Sequence, residues 1–356
     1  MSLLRRWFGG ASASPEPPKL EAPEYVRSGR DASFRIREHF QSTYGLPVCN
    51  WEPVRAWIDT LPEEARGPAW TDCERAWLLH LRDALGPTYR LEESDSAFLV
   101  SALDRRQAAA TLEFMSRTAR RIGMVLDGVA LASDWGKDIL VVFDDDDRYY
   151  EYASHYYPEE GEFALSAGMH INHGCSHFIT VRGDLRSVEP VIAHEMTHAF
   201  LAHLPIPAWL NEGIAVNTEQ RLCGVAPGLA TPAQMRAQHL DYWGEEEVQE
   251  FWLGKSFLRT DQGNKLSYDL ARILVAHYSR DWNAFRDFVL AADSADAGQE
   301  AAKRFLGCSL GTAVAAILET LNSEGLEPDP ECWGRPPERG AFCPPSRPIA
   351  TSAVAT

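Results

Sequence analysis

No apolar run in this 356-residue chain is long enough to span a bilayer, and Met1 to Gly10 holds none that would serve as a signal peptide. Internal repeats are missing too, as is any Cys-x-x-Cys pair. The seven cysteines are odd in number and widely spaced, which reads as reduced thiols rather than a disulfide framework. Positive charge is scarce, with 34 Lys and Arg against 51 Asp and Glu for a formal charge of −17. The basic residues form only short pairs such as Arg105-Arg106 and Arg120-Arg121. Nucleic acid and anionic membranes are therefore poor partners, and the expected setting is cytoplasmic. The hydrophobic fraction of 45% is that of an ordinary soluble protein, with ample material for one large domain or two modest ones.

Against these absences stands Val191 to Ala215, VIAHEMTHAFLAHLPIPAWLNEGIA. It contains His194-Glu195-Met196-Thr197-His198 within residues suited to a helix. Helical residues four apart lie one above the other, so His194 and His198 present two imidazoles to one point. That is half of a tetrahedral zinc site. Glu195 falls one helical step round, beside the metal, where it can take a proton from water. Pro205 and Pro207 cannot continue this helix, and Pro207 is placed to open a second. The second segment carries Glu212, with 13 residues between it and His198. That interval lets the chain turn and return antiparallel, delivering a carboxylate as third ligand and leaving a fourth position open. The alternative is a buried helix pair whose histidines are satisfied by hydrogen bonds alone.

The pattern H-E-x-x-H followed by W-L-x-E-G-x-A resembles the gluzincin metallopeptidases, in the short-spacing group called peptidase MA-like. The resemblance rests on about 25 residues, His194 through Ala215 and their flanks. By position it implies one zinc ion held by His194, His198 and Glu212, with Glu195 as general base and acid. A metzincin would need Gly in place of Leu201 and His in place of Leu204, and the long-spaced gluzincins a Glu in place of Asn217. One departure stands out: where a thermolysin-like enzyme has an Asp that orients a histidine, this chain has Val216. Glu219, on the same helical face as Glu212, is the substitute expected, against the reading of a solvated helix charge.

The resemblance implies an α+β fold: a zincin-like catalytic domain with a small mixed sheet and an active-site helix, flanked by mostly helical N- and C-terminal regions. Five segments are expected: a flexible leader (1–23), a helical region (24–86), the catalytic core (87–221), a helical subdomain (222–327) and a disordered tail (328–356). In the second, Trp51 to Leu61 and Cys73 to Leu85 have helical periodicity, with Trp70, Thr71 and Asp72 reading as a capped start. This region is either a recognition module, with a gating role open to it, or packing for the core.

Thr88 to Leu91 and Ala97 to Ser101 read as short strands, Arg105 to Ile122 as an amphipathic helix capped by Asp104, and Asp138 to Phe143 as a buried strand. Asp144 to Asp147 fit a helix cap for Arg148 to Tyr157 better than a calcium or magnesium site. Two strand-like runs follow, Phe163 to Ile171 and Ser176 to Val181. In the implied fold one of them is the edge that pairs with a polypeptide substrate. His170, His173, Cys175 and His177 raise the prospect of a second metal site, but alternation sets His170 opposite to the other three, which favours a polar wall. Lys265 to Tyr278 is a buried helix near whose start the resemblance places an oxyanion-binding tyrosine. Tyr268 is that residue, or else a core tyrosine, and His277 and Tyr278 are weaker alternatives. Trp282 to Ala291 and Gly298 to Leu321 complete the helices.

Taken together, the residues imply a zinc metallopeptidase acting on a polypeptide. The alternative is a catalytically silent protein that keeps the scaffold for binding or regulation.

Overall fold

The computed structural model describes residues 20–29, 32–133, 135–156, 168–224 and 231–333. Most of the expected leader, the first part of the Phe163–Ile171 run and the chain beyond Trp333 lie outside them. The fold is mixed α+β.

Two antiparallel hairpins, β1 (Val26–Ser28) with β2 (Ala32–Phe34) and β3 (Phe40–Thr43) with β4 (Leu46–Cys49), precede α1 (Trp51–Asp59) and α2 (Glu63–Leu85). Asn50 caps α1 by accepting from the Glu52 amide at 3.2 Å. Helix α2 starts seven residues before Trp70, so the expected cap at Trp70-Thr71-Asp72 falls inside it. Pro68 sits within two turns of the start, where it removes only one helical bond, and Trp70 and Trp77 are buried.

The central sheet has five strands in the order β5 (Arg90–Glu93), β6 (Ala97–Ser101), β7 (Asp138–Phe143), β9 (Cys175–Val181), β8 (Gly168–His173). The three inner strands are parallel and both edges antiparallel. Parallel neighbours need crossovers, supplied by α3 (Arg105–Val125) and α4 (Asp146–Tyr156). A capping box starts α3, the Asp104 carboxylate accepting from the amides of Arg106 and Gln107. Asp146 and Asp147 form the first turn of α4, Asp145 accepts from the Arg148 amide at 2.8 Å, and Asp144 pairs with Arg182. The acidic run is thus a cap and an ion pair.

Because the inner strands are covered on both faces, β6 and β7 read as nearly unbroken apolar runs. One face (Phe98, Val100, Ile139, Val141, Ile179) packs on Trp51, Trp70, Trp77 and Tyr149 from the N-terminal helices and α4. The other (Leu99, Leu140, Val142, Phe178) packs on α3 and α5 (Leu185–Leu201) and runs on into the C-terminal helices. Residues 24–86 therefore form a layer of the core.

Beyond α6 (Ala208–Cys223) come α7 (Pro232–Tyr242), α8 (Glu245–Leu253), α9 (Gln262–Tyr278) and α10 (Trp282–Ala291). The expected helix Gly298–Leu321 is broken into α11 (Gln299–Ala301), a π turn (Ala302–Leu306) and α12 (Leu310–Ile317). Gly307 takes a left-handed φ of 71° that ends the first piece, and Ser309 caps the next by accepting from the Thr312 amide. The start of the expected tail is pinned, since the indole N–H of Trp333 donates to Gln249 on α8. Among the described residues, no helix is long and apolar enough to cross a membrane.

Candidate metal centre

Helix α5 opens at Asp184, whose carboxylate accepts from the Ser187 amide at 3.0 Å. Val188, Ile192 and Met196 turn one stripe of the helix to the core. His194 and His198 share another, their ring centroids 4.7 Å apart. The chain then turns through Pro205 and Pro207, and α6 begins at Ala208 with Pro207 as the residue before it. The fully buried Trp209 anchors this return by donating from its indole N–H to the Ala297 carbonyl at 2.9 Å.

Glu212 thereby arrives beneath both imidazoles. Its Oε2 lies 3.2 Å from His194 Nε2 and its Oε1 3.4 Å from His198 Nε2. All three side chains are buried, and they are the one group of metal-binding side chains among the described residues whose ligand atoms converge. The height of Glu212 is set by its neighbour. A Cβ on Gly213 would stand 2.6 Å from the Ala271 carbonyl oxygen of α9, so only glycine permits this approach. Asn217 reinforces the contact by donating to the carbonyls of Gly213 and Arg272.

The hydrogen-bond pattern shows why this group suits a cation. Glu219 Oε2 lies 3.2 Å from His194 Nδ1 and Asn211 Oδ1 lies 3.0 Å from His198 Nδ1. Carboxylate and amide oxygens only accept, so both Nδ1 atoms carry the proton. His194 Nε2 lies within hydrogen-bond distance of Glu212 Oε2, whereas His198 Nε2 is left facing the acceptor Glu212 Oε1. Burial pulls His194 down, but the hydrogen bonds to Glu212 and Glu219 outweigh it and hold this histidine well above its usual value. Burial lowers His198, with Glu212 acting against it. His198 Nε2 and Glu212 Oε1 accordingly face one another buried, neither with a hydrogen-bond partner. Such an arrangement is costly unless a positive charge lies between them. The side chains present fit a metal ion.

Glu195 stands beside this group, with both carboxylate oxygens buried and bonded to no side chain, the backbone of His170 on β8 being the polar group near it. Burial pushes its carboxyl up to about 8, His194 opposing and Glu212 adding to the rise. The phenol ring of Tyr268 is also brought here, its centroid 6.4 Å from that of His194 and its edge against Phe257. The weaker alternatives lie elsewhere: Tyr278 packs on Phe288, and His277 is exposed.

The edge strand β8 runs beside α5. The histidines of β8 and its neighbour β9 divide by strand parity as the alternation requires. His170 bonds Ser176 Oγ at 2.7 Å and lies close enough to His198 to be disfavoured in its charged form, burial being the larger cause and lowering it to about 3. His177 faces the other layer, accepting at Nε2 from the Tyr152 hydroxyl and donating from Nδ1 to the Cys175 carbonyl. Cys175 approaches Glu74, and His173 packs on Tyr156. The four form no common site. Sequence reasoning overlooked Asn211 and Gly213, although both stand within the quoted motif, because neither residue type signals a metal ligand.

Compared with protein-family models and with curated proteins, the chain matches no family model and no curated protein.

Proposed function

We propose that this protein is a zinc metallopeptidase of the gluzincin kind, built on a zincin-like arrangement of sheet and active-site helix. The observation that carries the reading is the convergence of His194, His198 and Glu212 with Glu195 beside them. Ligand atoms about 2.0–2.1 Å from a tetrahedral zinc ion stand about 3.3 Å from one another. The nitrogen–oxygen separations of 3.2 and 3.4 Å, one to each oxygen of Glu212, and the gathering of all three ligand atoms within 4.8 Å bring the donors near that spacing. Two histidines and one carboxylate, with a fourth position open, form a donor set of the catalytic rather than the structural type.

Bound there, zinc would polarise a peptide carbonyl and acidify water toward neutrality. Glu195 would accept a proton from the attacking water and pass it to the leaving amine nitrogen. Its carboxylate, buried and with no side chain bonded to it, stands beside the ligand group where it can meet that water. Tyr268 would offer its phenol to the developing oxyanion. Edge strand β8 would align a polypeptide by main-chain pairing.

The test joins two measurements on the full chain: metal content by elemental mass spectrometry, and hydrolysis of unfolded protein substrates by wild type and Glu195→Gln. Zinc in both proteins with hydrolysis only in the wild type supports the reading. Equal hydrolysis by Glu195→Gln would overturn the mechanism, and a wild type that takes up no zinc would overturn the site.

A further inference from the structure

We infer that the protein carries a second binding site, a pocket between the N-terminal layer and the β8–β9 turn, which takes an organic cation on an alkyl stem. The guest is the guanidinium or ammonium group of a basic side chain or of a small free amine. The inference is independent of the metal centre. Val48 and Trp51, both buried in the pocket lining, belong to the core on the N-terminal side of the sheet, whereas α5 packs on the opposite face.

Four pieces of the chain build this cavity of about 400 Å³, a size within the roughly 300–1,000 Å³ of small-ligand sites. The β3–β4 hairpin supplies Val48 and its register partner Gln41. The start of α1 supplies Asn50, Trp51 and Glu52, and the end of α4 supplies His155. His173 and Gly174 come from the β8–β9 turn. Gly174 has a left-handed φ of 84°, and a Cβ there would stand 2.6 Å from Trp51 Cβ, so only glycine closes the turn on this side chain. The two imidazoles are held from behind. His155 Nδ1 lies 2.8 Å from Thr43 Oγ1, and the Tyr156 ring packs on His155 and His173 with centroids 5.0 and 5.8 Å away. Tyr152 donates to His177, so its oxygen, 3.2 Å from the Tyr156 hydroxyl, accepts from it and fixes that ring.

Charge selects the guest. Glu52 is the one carboxylate in the lining, and no lysine or arginine joins it there. Arg55, on the next turn of α1, donates to the Gly174 carbonyl at 3.2 Å and lies over the Trp70 ring. Burial and the neighbouring His173 hold His155 below its ordinary value, so its imidazole is mostly neutral at pH 7, and burial keeps Cys49 a thiol. An anion would therefore meet a carboxylate with no fixed positive charge to offset it. A metal ion needs ligands that converge, and among the described residues only the His194 group does so. An organic cation needs acceptors set around a larger space, here Glu52 and the amide oxygens of Gln41 and Asn50. Val48 and Trp51 offer apolar surface to its stem. The formal charge of −17 favours the same sign of ligand at long range.

The experiment titrates the full chain with agmatine, with acetyl-Gly-Arg-Gly-amide and with its norleucine counterpart, reading binding by ligand-observed NMR. Glu52→Gln and His173→Lys change exposed side chains, and melting curves report their folding. The expected result is saturable binding of an arginine-like probe, at least about tenfold tighter than the norleucine peptide and weakened about tenfold in Glu52→Gln, as for loss of a charge-assisted bond. His173→Lys should weaken it as well, by placing a like charge in the same pocket. Tighter binding of the peptide would assign the guest to a polypeptide side chain, and tighter binding of agmatine to a free amine. No saturation with either cation, a norleucine peptide that binds equally well, or unchanged affinity in Glu52→Gln would each overturn the inference.

Discussion

His198 Nε2 and Glu212 Oε1 lie 3.4 Å apart inside the protein, two acceptors with no hydrogen-bond partner between them. The pair comes from two helices joined by a proline turn, and it leads to the first prediction. Purified protein should contain about one zinc ion per chain, and Glu212→Ala should lose it. Chelation should lower the melting temperature of the wild type, because a ligand that binds only the folded chain stabilises it. Elemental analysis and melting curves with and without chelator check both. A chelator-insensitive melt would count against a bound metal.

Glu195→Gln is expected to separate binding from turnover. The side chain keeps its volume, so zinc content should equal that of the wild type. Hydrolysis should fall by about 10²–10⁴-fold, the range for loss of a general base. Single-turnover assays on an unfolded substrate would measure it.

Gly213→Ala would act without touching a ligand. The added methyl meets the Ala271 carbonyl oxygen at 2.6 Å, so α6 must move away from α9 and take Glu212 with it. We expect destabilisation of about 1–3 kcal/mol, as for other overpacked positions, together with weaker zinc retention. Denaturant titration and zinc competition on the same samples would show whether the two losses go together.

A pH effect should arise away from the candidate metal centre, at Glu74. This buried carboxyl accepts from the Trp70 indole N–H at 2.8 Å and the Lys137 amide at 3.1 Å. Burial nevertheless pushes it up from 4.5 to about 8. The folded state therefore retains a proton that the unfolded chain releases, and stability falls as pH rises from about 4.5 to about 8, levelling off above that. In Glu74→Gln this part of the slope should vanish. Melting temperatures between about pH 5 and pH 9 would test the linkage; equal slopes in the two proteins would refute it.

A chain beginning at residue 87 should fail to fold rather than gain activity. It would lose the tryptophans Trp51, Trp70 and Trp77 that cover Phe98, Val100, Ile139 and Val141 on the sheet. Large exposed apolar patches drive association, so size-exclusion chromatography should find aggregate. A soluble, monomeric and active fragment would show instead that the layer is dispensable.

Much of the candidate site was legible from one stretch of sequence. Helical periodicity is local, so His194 and His198 had to share a face once α5 formed, and the prolines after it forced a return on which Glu212 could lie opposite. The capped start of α3 and the unbroken apolar run of β7 were readable for the same reason. Local signals misled where a chain neighbour mimicked a boundary: Trp70-Thr71-Asp72 looked like a cap inside α2, and the periodicity of Gly298–Leu321 hid the break at Gly307.

What the sequence by itself determined, then, is the inner geometry of the site and the α+β alternation, because both follow from spacing along a single element. The tertiary structure decided that Asn211 backs His198, how closely α6 approaches α9, and that Tyr268 lies beside His194. It also decided that residues 24–86 cover one face of the sheet. These depend on how helices cross and sheets are covered: the period of α6 already pointed to Glu219, but no period in the sequence encodes the contact of Asn211 with His198.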